Sequence, residues 1–126
     1  MDRDTLIHRL AETIAADSEL LIDGWTHLVL TSRVEDDSML NMNGFCYTDD
    51  GDAHPVSPRD FTIFDVLQEL RDAMAKVDGK QPWIAALFRI ERATGKFHAE
   101  YEYEHLERWA ITPRNVEARA REFAPA

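Results

Sequence analysis

Trp83-Ile-Ala-Ala-Leu-Phe-Arg-Ile-Glu-Arg92, then Ala93-Thr94-Gly95, then Lys96-Phe-His-Ala-Glu-Tyr-Glu-Tyr-Glu-His105, is the stretch whose reading decides the fold. Two runs of strand-forming residues flank a short glycine-containing loop, the pattern of a β-hairpin. Gly95 suits a turn followed by a residue with positive φ. Side chains of a strand alternate between its faces, so Lys96, His98, Glu100, Glu102 and Glu104 share one side. Phe97, Ala99, Tyr101 and Tyr103 share the other. Such a strand covers a core with its aromatic face and meets water, or a basic partner, with its carboxylates.

On the N-terminal side of the hairpin, Ser57-Pro58-Arg59-Asp60 reads as a helix start, with Ser as N-cap and Pro at the first position. The helix is expected to run to about Val77, burying Ile63, Val66, Leu67, Leu70, Met74 and Val77. Asp78-Gly79 and Pro82 stop it. Residues 2–17 read as a second amphipathic helix, with Leu6, Leu10 and Ile14 on its stripe and Asp2 or Asp4 at its start.

Trp25 to Val34 reads as a strand, Glu35-Asp36-Asp37 as an acidic turn, and Ser38 to Tyr47 as the returning strand. In that returning strand Leu40, Met42 and Cys46 point one way, and Asn41, Asn43, Phe45 and Tyr47 the other. Residues 48–53 form a turn by composition, and His54-Pro55-Val56 suits only a short edge strand. Thr112-Pro113 starts a last helix from Arg114 to Phe123.

The order is α-β-β-(β)-α-β-β-α, which implies an α+β fold: an antiparallel sheet of four or five strands with helices packed on one face. Leu6, Leu10, Leu28, Leu30, Ile63, Leu67, Leu70, Ile84, Phe88, Phe97 and Tyr101 are the expected core.

At 126 residues the chain is expected to be one domain. Apolar residues make up 44% and charged residues 30%, the balance of a soluble globular protein. No run approaches the roughly 18 apolar residues of a membrane helix. The N-terminus carries charges of both signs without an apolar run, so no secretory signal is expected. A lone cysteine, Cys46, fits a reducing cytoplasm and reads as a small buried hydrophobe. With 24 acids against 14 bases the net charge is −10, which disfavours direct nucleic-acid binding and favours basic proteins.

No phosphate loop, dinucleotide fingerprint or nucleophile elbow occurs, and no His/Cys spacing of a metal site. The nearest ligand set is His98 with Glu100, joined by His27 on a neighbouring strand; on a charged face these read as solvated side chains. Asp49, Asp50 and Asp52 around Gly51 resemble part of a calcium loop, but Pro55 and Pro58 interrupt it, leaving a charged turn. Trp25, Trp83 and Trp109 read as core or rim packing. Neither catalytic residues nor a cofactor are expected. A partner surface is expected on His98, Glu100, Glu102 and Glu104, and on the acidic turns Glu35-Asp36-Asp37 and Asp49, Asp50, Asp52.

The segment Gly95-Lys-Phe-His-Ala-Glu-Tyr-Glu-Tyr-Glu104, with Trp109 and Pro113 after it, resembles the YezG-like immunity protein family of bacterial polymorphic toxin systems. Members carry a G-K-F-x-x-x-Y-x-Y-[DE] strand before a closing segment with a Trp and a Pro. Gly95, Lys96, Phe97, Tyr101, Tyr103 and Glu104 occupy those positions. The resemblance implies a small cytoplasmic inhibitor that binds a cognate toxin, often a basic nuclease, stoichiometrically. A scaffold protein without toxin context, and a small enzyme, are the alternative classes.

Overall fold

The computed structural model describes residues 2–35, 40–79 and 81–125. Its elements are α1 (Arg3–Ala15), β1 (Trp25–Val34), β2 (Leu40–Thr48), β3 (Ala53–Val56), α2 (Thr62–Asp78), β4 (Ala85–Glu91), β5 (Phe97–Glu102) and α3 (Val116–Glu122). The strands form one antiparallel sheet in the order β3-β2-β1-β4-β5. This is the α+β order that the sequence implies, with the short β3 present as an edge strand.

α1 and α2 pack together on one face. The four-residue spacing of Leu6, Leu10 and Ile14 sets them on one stripe of α1, and all three are fully buried. Ile63, Val66, Leu67, Leu70 and Met74 do the same on α2. They close over Leu28, Leu30, Cys46, Phe88 and Trp83, with Phe97 and Tyr101 packed half-buried at the side. Asp2 caps α1, accepting a hydrogen bond from the Thr5 amide at 2.8 Å.

Three expectations are corrected here. α2 begins at Thr62, not at Ser57, because the backbone before it is engaged elsewhere. The amides of Arg59 and Asp60 donate to the buried Asp17 carboxylate at 2.8 and 3.1 Å, and Asp60 itself accepts from the Thr62 amide at 3.0 Å. Val77 is 81% exposed, since it lies beside Asp2, Arg3 and Asp4, whose polar side chains do not bury it. Ile84 is half-buried, and the side chain that enters the core at that end of the sheet is Trp83.

The opposite face of the sheet carries a second, smaller core. Val29, Phe45, Tyr47, Ala85 and Leu87 meet Trp109 and Phe123, so α3 and the segment before it lie across this face. At seven residues α3 is too short to be stable alone. It starts at Val116, two residues later than Thr112-Pro113 suggests, after Asn115 takes the Thr112 amide (2.8 Å) and donates to the Ala110 carbonyl (2.9 Å). Arg119 then binds the carbonyls of Ala110 (3.1 Å) and Arg108 (2.9 Å). The Tyr47 hydroxyl donates to the Ala120 carbonyl at 2.7 Å, and burial pushes this phenol up to about 12.

Leu67→Ala should lower unfolding stability by about 2–5 kcal/mol, and Phe123→Ala by about 3–5 kcal/mol. Val77→Ala should stay within about 0.5 kcal/mol. Urea titration of the three variants checks the set. A small loss at Phe123 would mean that the second core does not contribute to folding.

Candidate functional site

The closing hairpin turns as its glycine requires. The Gly95 amide donates to the Glu91 carbonyl (2.9 Å), the Glu91 amide donates to the Lys96 carbonyl (3.0 Å), and Gly95 has φ 71°. β5 therefore returns beside β4, as the edge of the sheet, with His98, Glu100 and Glu102 on the α3 side and Phe97, Ala99 and Tyr101 on the α1 side.

The expected acidic surface is divided. Asp49, Asp50 and Asp52 are exposed at the end of the sheet where β1 begins, and the Asp49 amide donates to the Gly24 carbonyl at 3.0 Å. Glu35 and Glu104 are exposed at the other end, where β5 finishes; Glu35 accepts from the Asn41 side chain at 2.6 Å. Asp36 and Asp37 lie outside the described residues. Glu100, on β5, is opposite Leu87 and 3.8 Å from His98.

Two of the acids hold loops. Asp50 accepts the Thr48 hydroxyl and the Asp52 amide, and these bonds, the hydroxyl first, hold its carboxyl below the usual range. Asp50, Asp52 and His54 are the one group of three possible metal ligands among the described residues. Both acids there are exposed, and the His54 ring is 3.2 Å from the Thr48 hydroxyl. Glu102 is only 11% exposed and bends over the turn that follows β5. It accepts the amides of Tyr103, Glu104 and His105 at 3.0–3.2 Å and the Arg108 guanidinium at 2.8 Å. The Glu104 amide, then Arg108, then the His105 amide bring its carboxyl down to about 2.

A groove of about 350 Å³ opens where α3 ends. Its floor is two cross-strand rows on β1, β4 and β5: Val29–Arg89–His98 and His27–Glu91–Lys96. Phe123 and Pro125 wall it. His27 and His98 are thus two strands apart with β4 between them, not on neighbouring strands as the sequence suggested. Arg89 donates to the Phe123 carbonyl at 3.1 Å and sits 5.8 Å from the Phe123 ring centre. His27 lies 4.0 Å from Glu91 and 3.0 Å from the Thr26 hydroxyl.

Of the expected partner residues, only His98 lines this groove. Arg89, Lys96 and His27 were missed as a group, although each carries the right alternation. The missing fact was the strand order, which places β4 between β1 and β5.

No known family model matches the chain, and no curated protein does. No helix among the described residues is long and apolar enough to cross a membrane.

Glu102 provides a pH signature. Its ordinary value is 4.5 and its folded value about 2, so its stabilising contribution is complete above pH 4.5. That contribution drains away as pH falls from 4.5 towards 2, because the unfolded chain takes up the proton first. Glu102→Gln should flatten this part of the acid limb in urea midpoints measured from about pH 6 to about pH 2. An unchanged slope would show that the turn does not depend on the ionised carboxylate.

Proposed function

We propose that the protein is a small acidic immunity-type inhibitor, which acts in the cytoplasm by binding a basic, nuclease-type toxin domain stoichiometrically. The observation that carries this reading is the rigid acidic turn between β2 and β3. Asp49, Asp50 and Asp52 are all exposed on it, with exposed Asp23 next to Gly24 alongside. Backbone bonds close the turn, from Gly51 to Thr48 (2.9 Å) and from Thr48 to Asp52 (3.1 Å). Carboxylates on a closed turn need little ordering to pair with Lys or Arg. A net charge of −10 adds long-range attraction for a cationic domain. Nucleases grip phosphates with basic residues, so a basic face is what such a partner offers. The hairpin resemblance to YezG-like immunity proteins supports the same reading.

The test is a search of the genes beside this chain's for a basic toxin domain, followed by co-expression of the two; a neighbourhood that encodes none counts against the proposal. Growth should be rescued, and the pair should elute as one stoichiometric complex. Asp49→Lys with Asp52→Lys should leave the fold intact and slow association roughly tenfold at low salt. Failure to rescue growth, or rescue without a complex, would overturn the proposal.

A further inference from the structure

We propose that the groove between the end of α3 and the β1–β4–β5 floor binds a small organic monocarboxylate with an apolar or aromatic body. The first reason is charge. The floor gathers Arg89, Lys96, His27 and His98 around one acid, Glu91. Counting the fixed charges alone, Arg89 and Lys96 against Glu91 leave +1, on a chain whose net charge is −10. Glu100, 3.8 Å from His98 on the same strand, does not line the groove. A site of net +1 matches a monoanion, and Glu91 in the second row opposes a dianion.

The second reason is the posture of Arg89. Its contact with the Phe123 ring and its bond to the Phe123 carbonyl hold the guanidinium against Phe123. A guanidinium has five N–H donors in a planar fork, and the carbonyl takes one, which leaves geometry for a carboxylate beside His98 and Lys96. The third reason is the lining: Phe123 and Pro125 give an apolar wall, and Val29 an apolar place in the floor, beside these polar groups. A volume of about 350 Å³ lies at the small end of ligand pockets, the size of a single ring with a short acid arm. One anchoring charge at the edge of an apolar slot is the arrangement that fixes the orientation of a small ligand.

The experiment titrates the full-length, isotope-labelled protein with three probes of one shape, read by amide and histidine NMR shifts. Phenylacetate supplies the monocarboxylate, 2-phenylethanol the neutral counterpart, and phenyl phosphate the dianion. Phenylacetate should give saturable shifts confined to the amides of residues 27–29, 89–91, 96–98 and 123, and to the rings of His27 and His98. The alcohol should bind at least about fivefold more weakly, as expected for losing a charged hydrogen bond. Arg89→Gln should weaken phenylacetate by a similar factor. Because Arg89 also holds the Phe123 carbonyl, Lys96→Gln, at an exposed position, provides a second variant that leaves the spectrum of the free protein in place and still weakens binding about twofold or more. Shifts that fail to saturate or fall elsewhere, equal binding of the alcohol, or indifference to both substitutions would overturn the site. Tighter binding of phenyl phosphate would overturn the monoanion assignment.

Discussion

The register of β1 against β4 is the constraint on which the rest of the structure depends. β1, β2 and β3 are consecutive in the chain, and so are β4 and β5; the two groups meet in the sheet through the seven pairs from His27–Glu91 to Arg33–Ala85, flanked by the bonds from the Val34 amide to the Ile84 carbonyl and from the Arg92 amide to the Thr26 carbonyl. A slip of one residue would turn Arg89 and Glu91 into the helix-covered core and Phe88 and Ile90 out of it. A slip of two would keep the faces but break the row Val29–Arg89–His98. Both faces of β1 are buried, Leu28 and Leu30 on one and Val29 and Thr31 on the other, so packing on either side penalises a shift. Gly44 locks the other flank. A Cβ there would fall 1.9 Å from the Val29 carbonyl, so only glycine lets β2 lie this close.

The second core follows from that register, and polar clamps reinforce its apolar packing. Carbonyls at the end of a helix need partners from outside it, and the sheet supplies two of them here. Tyr47 takes the Ala120 carbonyl from the sheet below, and Arg89 takes that of Phe123. Arg89 therefore ends the helix and shapes the groove with one side chain. The groove exists because α3 stops over β1 and β4, while β5 extends beyond it as the sheet edge.

Most of the fold was legible in the sequence because alternation and helical spacing were clean. β1 has the expected bounds, and β2 divides as read, with Met42 and Cys46 in one core and Phe45 and Tyr47 in the other. The misreadings share a cause: a local signal overruled by a distant partner. Ser57-Pro58 looks like a cap, but Asp17, some forty residues away, takes the amides of Arg59 and Asp60 that a helix start would use. Val77 has the right phase for a buried stripe, yet the chain beside it is polar. The helix-facing half of the hairpin was readable from Phe97 and Tyr101. The other half was not, because the role of a strand residue depends on which strand lies beside it. Glu102 looked like a free surface acid, and only the turn after β5 shows it accepting three amides and an arginine.

The two proposed interactions place opposite demands on one field. A basic protein meets an acidic molecule attractively at every distance, so salt removes its long-range steering first and slows its association. A small carboxylate meets repulsion from the net charge of −10 until it enters the groove, where Arg89 and Lys96 are close. At physiological ionic strength the screening length is about 8 Å, comparable with the groove itself. Screening therefore weakens the distant repulsion more than the local attraction. Carboxylate affinity should vary little with added salt, whereas association with a basic partner should fall steeply. The acidic turn at Asp49–Asp52 and the basic floor around Arg89 are thus separable by ionic strength alone, before any residue is changed.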